Sequence, residues 1–396
     1  MNDVSNLPGN TATLPFDRAL LDGLMDKSAV DAVLATSKHN VQYLLGGHRS
    51  GFFDYMDAIG LSRYLPVLVY PKGKPDNAGY FGNALERHET ENSPFWPPVV
   101  QPKFMRSPDV AQAAISHLRA QGLDRGRIAV EEAFLPMDVA DALRKELPQV
   151  EFVDATALLE RLRARKSKQE LALLKEASER VVQSMMAMIS AHGVGSTKRD
   201  MQATLREEEV KRGLVFEYAL ITLGSSHNRA RSDQAWQKGE VLSVDSGGNY
   251  HGYIGDLCRM GVLGEPDAEL DDLLGEIEAI QQAARRPVRA GALGGEIYAA
   301  AEQALRDAPN RRAIDFLAHG MGLVSHEVPH LTSSGPVPYP GDDADRKLEA
   351  GMVLSIETTL IHPRRGFIKL EDTLAVTDDG YEPFGDAGRG WNRGKA

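Results

Sequence analysis

The sequence predicts a two-domain protein, with an α/β domain over residues 1–160 and an α+β domain over residues 161–396. A length of 396 residues is more than one ordinary hydrophobic core organises. The first part of the chain alternates helices and strands. The second part shows two helices followed by strands, twice, which predicts an internal pseudo-duplication.

The N-terminal domain is predicted from short apolar runs separated by helical segments. We expect strands at Ala32–Ala35, Pro66–Tyr70 and Arg127–Val130, and helices at Asp17–Lys27, Pro108–Gln121 and Met137–Leu147. Ser107 is the expected N-cap of the second helix. The segment Gly47–Tyr55 carries His48, Arg49 and several aromatic side chains. It is equally well explained as a substrate-facing loop and as an ordinary turn with core aromatics.

The junction between the two domains is predicted to be a short basic helix, Ala155–Arg165. Ser167 and Glu170 form a capping box that opens a long helix through Ile189, and Ser196 is the expected cap of the next. Helices are then expected at Thr197–Arg212, Ala268–Ala284 and Gly294–Asp307, and strands at Ile314–His319, Val353–Thr359 and Phe367–Val376.

The composition excludes several classes of protein. A formal net charge of −11 argues against nucleic acid as a partner. The single cysteine, Cys258, forms no internal disulfide and suits a reducing compartment. The N-terminal residues lack the apolar region of a signal peptide, and no stretch approaches a membrane span. We therefore expect a cytoplasmic protein with no membrane partner.

Two acids lie in the segment Val241–Arg259. Val241–Asp245 is expected to be a strand, Gly247, Gly248 and Gly252 to supply the hairpin turn, and Tyr253–Arg259 to return as a second strand. Asp245 and Asp256 would then meet on neighbouring strands. Taken alone, such a pair is more often solvated than functional.

Three later stretches change that interpretation. His319 and His326 lie seven residues apart around a glycine turn, and Glu357 and Glu371 each occupy the polar face of a predicted strand. If the apolar faces pack under the helices, four carboxylates converge, and each pair about 4 Å apart repels by roughly 4 kcal/mol at a dielectric near 20. Two divalent cations would cancel this charge. The oxygen-rich donor set suits Mn²⁺, Co²⁺, Fe²⁺ or Zn²⁺.

The motifs DSGGNYHGYIGDLCR, HGMGLVSHEVP, LEAGMVLSIETT and KLEDTLAVTDDG resemble those of the pita-bread metallohydrolases. That family includes methionine aminopeptidase, Xaa-Pro aminopeptidase, prolidase and creatinase. The resemblance implies a pita-bread catalytic domain preceded by a creatinase/prolidase-like N-terminal domain. It also implies five ligands for two divalent ions, with Mn²⁺ expected: Asp245, Asp256, His319, Glu357 and Glu371.

The resemblance implies further roles for residues around the metals. His326 occupies the substrate-contacting, proton-handling position, and His227 resembles the upstream catalytic histidine. Glu357 is expected to bind metal and also to take a proton from water. His48 and Arg49 are expected to bind substrate, because the resembled two-domain enzymes are homodimers in which the N-terminal domain helps to build the partner's site.

The chain departs from the family pattern at three places. Glu357 is followed by Thr358–Thr359 where the family has Pro-Gly, Lys369 replaces an arginine, and Leu331–Arg346 is an insert that would restrict access. The expected function is hydrolysis of a C–N bond, as a Xaa-Pro dipeptidase or aminopeptidase on short peptides. The alternative is a creatinase-like hydrolase or lyase of a small non-peptide molecule. A non-catalytic binding module is a third and more remote alternative, because such a protein is expected to have lost metal ligands and all five are present in this chain.

Overall fold

The structure is a computed structural model that describes residues 14–60, 63–334 and 341–395. The chain divides into two units between Leu162 and Arg163, two residues from the predicted boundary. The two-domain architecture, with an α/β unit followed by an α+β unit, is confirmed. Within the described residues, no helix combines the length and apolar character that a membrane crossing requires.

The N-terminal unit contains a six-stranded mixed sheet in the order β4-β3-β2-β1-β5-β6. Its strands are β1 (Ala32–Ala35), β2 (Val67–Pro71), β3 (Gly79–Asn83), β4 (Val99–Phe104), β5 (Arg125–Val130) and β6 (Gln149–Asp154). Its helices are α1 (Arg18–Lys27), α2 (Lys38–Leu44), α3 (Met56–Ile59), α4 (Arg87–Asn92), α5 (Ser107–Ala120), α6 (Met137–Glu146) and α7 (Thr156–Arg163). Apolar clusters cover both faces of the sheet, which explains why β1 and β2 are buried throughout.

The C-terminal unit packs four long helices against one large sheet. The helices are α8 (Lys168–Ala191), α9 (Lys198–Lys211), α10 (Ala268–Arg285) and α11 (Gly295–Asp307). The strands are β7 (Val215–Leu223), β8 (Val241–Tyr250), β9 (Tyr253–Val262), β10 (Ile314–Gly320), β11 (Val353–His362), β12 (Gly366–Val376), β13 (Tyr381–Phe384) and β14 (Asn392–Arg393). The main path runs β10-β11-β12-β9-β8-β7 with every neighbouring pair antiparallel. Each half therefore supplies two helices and three strands, and the halves meet at β9 and β12.

Two of the predicted helix starts were wrong by one residue. Ser107 is the first residue of α5 rather than its cap, and its hydroxyl donates to Asp138. Helix α9 is capped by Thr197 rather than Ser196, because the Thr197 hydroxyl accepts the Asp200 amide in a capping box. The predicted capping box at the start of α8 is present.

The predicted hairpin turn is present at Gly252, but its assignment to Gly247 and Gly248 was wrong. Gly247 and Gly248 lie inside strand β8, and the turn is at His251–Gly252. Glycine is required at these two positions because of close packing, and not because the chain turns there. A Cβ at Gly247 would lie 2.3 Å from the Tyr218 ring, and one at Gly248 would lie 2.8 Å from Val181.

Candidate metal centre

The four predicted carboxylate ligands lie on the four central strands of the C-terminal sheet. Glu371 on β12 lies opposite Glu357 on β11 and opposite Cys258 on β9. Cys258 in turn lies opposite Asp245 on β8. Asp256 precedes Cys258 by two residues and so shares its face of β9. The register alone therefore brings the four acids to one face of the sheet.

The side chains form two groups that share one member. Potential donor atoms of His319, Glu357 and Glu371 all lie within 4.8 Å of one another, as do those of Asp245, Asp256 and Glu371. His319 Nε2 is 3.8 Å from Glu357 Oε1 and 3.9 Å from Glu371 Oε1. The structure thus brings all five predicted ligands together, with Glu371 between the two groups. Their role as ligands stays a prediction.

Lys369 lies among these carboxylates. Its Nζ atom is 2.8 Å from Asp245 Oδ2, 2.5 Å from Glu357 Oε2 and 2.8 Å from Glu371 Oε2. Burial opposes the charge on the ammonium, but these three carboxylates outweigh burial and hold the pKa of Lys369 well above its usual value. A second cation, the partly exposed Arg229, also pairs with Asp245.

The carboxylates remain short of positive charge. Burial, together with neighbouring acids, raises the pKa of Asp245 and raises that of Asp256 well above its usual value. Asp256 Oδ1 is buried and accepts no hydrogen bond from the described residues. A buried, oxygen-rich donor set with excess negative charge and an orphaned oxygen fits divalent cations.

The two histidines of the third motif stack on each other. The rings of His319 and His326 have centroids 3.8 Å apart and planes inclined by 10°. Burial, aided by His326, lowers the pKa of His319 to about 3, so the ring is neutral, as a metal ligand must be. His319 Nδ1 donates to the Gly320 carbonyl, which leaves Nε2 facing the carboxylates.

His227 lies on the exposed loop between β7 and β8. Its side chain forms no hydrogen bond or ion pair with the residues that the structure describes. Two contacts next to His227 hold this loop in place. Buried Lys198 donates to the Asn228 carbonyl, and Arg229 donates to the Asp245 carboxylate. The catalytic role of His227 remains a prediction.

His48 and Arg49 belong to the N-terminal unit and contact neighbours there. The His48 ring packs on Phe95 with centroids 4.4 Å apart, and burial lowers its pKa to about 4. Arg49 pairs with Asp54. Their substrate-binding role is untested by these contacts. Residues 335–340 of the predicted access-restricting insert lie outside the described residues.

Tyr218 is a site residue that the sequence reasoning missed. Its ring crosses Gly247, the residue directly opposite Asp256, and its hydroxyl hydrogen-bonds the Asp256 carboxylate. Burial and the nearby acids raise the pKa of Tyr218, so the phenol stays protonated and can donate. One signal for it was present in the sequence, namely Gly247, which follows Asp245 by two residues. We interpreted this glycine as part of a turn, whereas it allows the Tyr218 ring to approach the strand closely.

Comparison with known families agrees with this geometry. A family model described as metallopeptidase family M24 matches residues 172–378, and a model of the creatinase/prolidase N-terminal domain matches residues 18–165. A Xaa-Pro dipeptidase of Pyrococcus horikoshii is 24% identical over 90% of this chain and 93% of that protein. A probable dipeptidase PepE of Mycobacterium tuberculosis is 30% identical over 57% of this chain and 60% of that protein.

Solved structures share the fold across both units. A Xaa-Pro dipeptidase from Bacillus anthracis superposes with a TM-score of 0.79 at 20% identity, covering 95% of this chain and 98% of that one. An X-Pro aminopeptidase from Thermotoga maritima gives 0.74 at 18% identity, covering 95% and 99%. The family model covers more than half of the sequence and includes all five converging side chains. The chain therefore belongs to metallopeptidase family M24, with a creatinase/prolidase N-terminal domain.

Proposed function

We propose that this protein is a metal-dependent dipeptidase that hydrolyses Xaa-Pro dipeptides. The observation that carries the proposal is the convergence of five potential ligands, four of them carboxylates, on one face of the C-terminal sheet. The proline preference is taken from the relatives named as Xaa-Pro dipeptidases, which align with this chain over both domains.

Two divalent ions, which we propose to be Mn²⁺, would be held at two positions. One is formed by His319, Glu357 and Glu371, and the other by Asp245, Asp256 and Glu371. Ions bound there lower the pKa of water and polarise a scissile carbonyl. Mn²⁺ accepts the mixture of carboxylate oxygens and imidazole nitrogen that these residues offer.

The remaining chemistry belongs to the chain's own groups. Glu357 is the most exposed of the four carboxylates, with 13% of its side chain accessible, so it is placed to accept a proton from water and return it to the leaving nitrogen. His326, stacked on His319, would donate a hydrogen bond to the developing oxyanion, with His227 as a second donor. His48 and Arg49 would bind the substrate carboxylate.

We also propose that the enzyme is a cytoplasmic homodimer. The single cysteine is buried and unpaired, which suits a reducing compartment. Light scattering tests the dimer directly, and a monomer contradicts it. Arg49→Ala should raise KM more than it lowers kcat, because it removes binding that ground state and transition state share.

The function is tested with Mn-loaded protein on Gly-Pro, Ala-Pro, a tripeptide Xaa-Pro-Xaa and creatine. Turnover of the dipeptides that a chelator abolishes is the expected result. Turnover of the tripeptide alone would indicate an aminopeptidase. If creatine is consumed and no proline peptide is, the small-molecule hydrolase replaces the peptidase.

A further inference from the structure

Two cations in and next to the basic junction segment are buried. Arg163 is the last residue of α7, and Lys166 follows it by three residues. Only 4% of the Arg163 side chain and 1% of the Lys166 side chain is exposed. Burying a guanidinium or an ammonium is costly unless the charge is paired. Both cations therefore need a specific partner.

The two cations share one carboxylate, which belongs to Glu327. Its Oε2 atom is 3.0 Å from Arg163 Nη2, and its Oε1 atom is 2.9 Å from Lys166 Nζ. Glu327 is buried, and all three residues lie in the C-terminal unit. Burial opposes the charge on Glu327, but Lys166 and Arg163 outweigh burial and hold the pKa of this carboxyl below its usual value. The carboxylate stays ionised, and each of its oxygens is bound by a different cation.

The main chain of Glu327 is fixed as well. Its amide donates to the Gly320 carbonyl at 2.9 Å, and the Gly320 amide donates to the Pro329 carbonyl at 3.1 Å. Because Gly320 is the last residue of β10, these bonds close the loop that follows His319. The loop also packs tightly on the carboxylate, since a Cβ at Gly322 would lie 2.4 Å from Glu327 Oε1.

His326 directly precedes this anchored residue. Its ring stacks on the ring of His319 with centroids 3.8 Å apart. One ring contact contributes less free energy than the conformational entropy that fixing a loop residue costs. The stacked position of His326 therefore depends on a main chain that is already held in place, and Glu327 is the neighbour that holds it.

Stability alone does not explain three buried charges at this place. Replacing a buried ion cluster by apolar side chains of similar size is often neutral or stabilising. Apolar side chains cannot reproduce the directions of charge-assisted hydrogen bonds, which are short and geometrically specific. The arrangement of Arg163, Lys166 and Glu327 is therefore suited to fixing the geometry of the loop.

We propose that Glu327 is a positioning residue for His326. Held by Arg163 and Lys166, it fixes the loop so that the His326 ring stays stacked on His319 before a substrate binds. The basic junction segment thereby sets the geometry of the C-terminal site. The catalytic consequence rests on the proposed function, in which His326 donates a hydrogen bond to the oxyanion.

The position of the ring is tested by NMR of metal-free, full-length protein with isotope-labelled histidine. In the wild type, the ring current of His319 should shift the Cε1–H proton of His326 upfield, and His326→Gln identifies this signal by its absence. Glu327→Gln keeps the shape of the side chain and removes its charge. It should move the signal to the position of an unstacked histidine. An unchanged signal in the folded variant overturns the inference.

A double variant separates positioning from stability. Glu327→Gln leaves two buried cations without this carboxylate and should be less stable for that reason. Adding Lys166→Met restores the net charge that the three residues carry in the wild type. The double variant should regain stability in urea unfolding, with the His326 signal still at the unstacked position. If the signal returns together with the stability, the inference is wrong. The double variant also provides the NMR comparison if the single variant does not fold.

The catalytic consequence is measured with Mn-loaded protein on Ala-Pro. Glu327→Gln should lower kcat about 100-fold and leave KM within about threefold of the wild type, because the oxyanion hydrogen bond is made in the transition state. Metal content by elemental analysis should not change, since none of the five potential ligands is altered. A loss of metal that accounts for the lower kcat would overturn the inference.

Glu131→Gln is the matched control. Glu131 is an equally buried carboxylate of the N-terminal unit that accepts the amides of Thr36 and Ser37 and the side-chain amide of Asn40. Its replacement should lower stability and leave the His326 signal in place. If the signal moves as far as in Glu327→Gln, general destabilisation explains the effect and the inference is wrong. A wild type that cleaves no proline peptide contradicts the proposed function, whereas the NMR comparison still decides whether Glu327 positions His326.

Discussion

Glu371 and Asp372 are neighbours on β12, yet their side chains enter two opposite electrostatic environments. Asp372 is buried and pairs with Arg259 at 2.9 Å, with Arg285 at 2.7 Å and with Arg389. Burial opposes its charge, but the three arginines hold its pKa below the usual value. On the other face of the strand, Glu371 shares its surroundings with three more carboxylates.

The two faces of the sheet differ in how far neighbouring side chains balance the charge of the buried carboxylates. Behind the sheet, the three arginines that surround Asp372 are matched by three carboxylates, since Glu278 and Asp386 join the cluster. In front of it, the cations among the described residues that pair with the four carboxylates are Lys369 and Arg229. A buried structural cluster completes its own charge balance, whereas an incomplete one indicates a place for a cation from outside.

The largest expected effect comes from removing the ligand that both groups share. Glu371→Ala should lower metal affinity by more than the roughly 10–100-fold that loss of an outer partner costs, and activity should disappear with it. Elemental analysis and peptide hydrolysis measure the two effects. Glu382→Ala, at an exposed acid paired with Lys175, is the control and should keep both. Full metal content in Glu371→Ala would contradict the assignment.

The cluster behind the sheet should respond with stability instead of metal content. Asp372→Asn leaves the buried Arg259 and Arg285 and the half-buried Arg389 without their central carboxylate, and we expect a loss of about 3–5 kcal/mol in the free energy of unfolding. Urea unfolding of metal-free protein measures it. A loss below about 1 kcal/mol would mean that this cluster does not stabilise the fold.

Asp256→Asn should raise the free energy of unfolding of the metal-free protein, whereas Asp372→Asn lowers it. Asp256 has a buried oxygen without a hydrogen-bond partner among the described residues, so neutralising it should stabilise the metal-free state by about 1–3 kcal/mol. With Mn²⁺ in excess the advantage should vanish, because the wild type then gains binding energy. If the metal-free Asp256→Asn variant is less stable than the metal-free wild type, the expected difference between the two faces of the sheet is wrong.

The same contrast predicts a pH dependence. The folded-state pKa of Asp256 is raised, so the folded protein keeps a proton that the unfolded chain loses above about pH 3.9. Stability of chelated protein should therefore fall as pH rises from about 4 towards neutrality. The depressed pKa of Asp372 acts below that range, where its contribution is lost as pH falls. Thermal melts across pH, with and without Mn²⁺, separate the two.

The smallest effect concerns the hydroxyl beside Asp256. Tyr218→Phe removes one hydrogen bond to a potential ligand and should weaken metal binding by roughly 10–100-fold, with the fold intact. Tyr253→Phe, whose hydroxyl donates to Glu170, is the matched control. If the Tyr218→Phe and Tyr253→Phe variants bind metal with equal affinity, the Tyr218 hydroxyl does not support metal binding.

Much of this arrangement could be predicted from the chain because alternation along a strand fixes which side chains share a face. Glu357 and Glu371 were placed correctly on polar faces, and the antiparallel register then sets them directly opposite each other. The position of Gly247 could not be predicted in this way. A glycine that admits the Tyr218 ring looks the same in sequence as one that turns the chain, since the ring comes from a strand 29 residues earlier.

The direct pairing of Glu357 with Glu371 has a consequence for how the sheet assembles. Like charges placed opposite each other weaken an antiparallel strand pair, so β11 and β12 would pair poorly if they carried only these acids. Lys369 is on β12 itself and contacts both carboxylates. The hairpin thus carries its own counter-ion and can close early through local contacts. Asp245, 124 residues away in the chain, joins the same ammonium only when the two halves of the sheet meet.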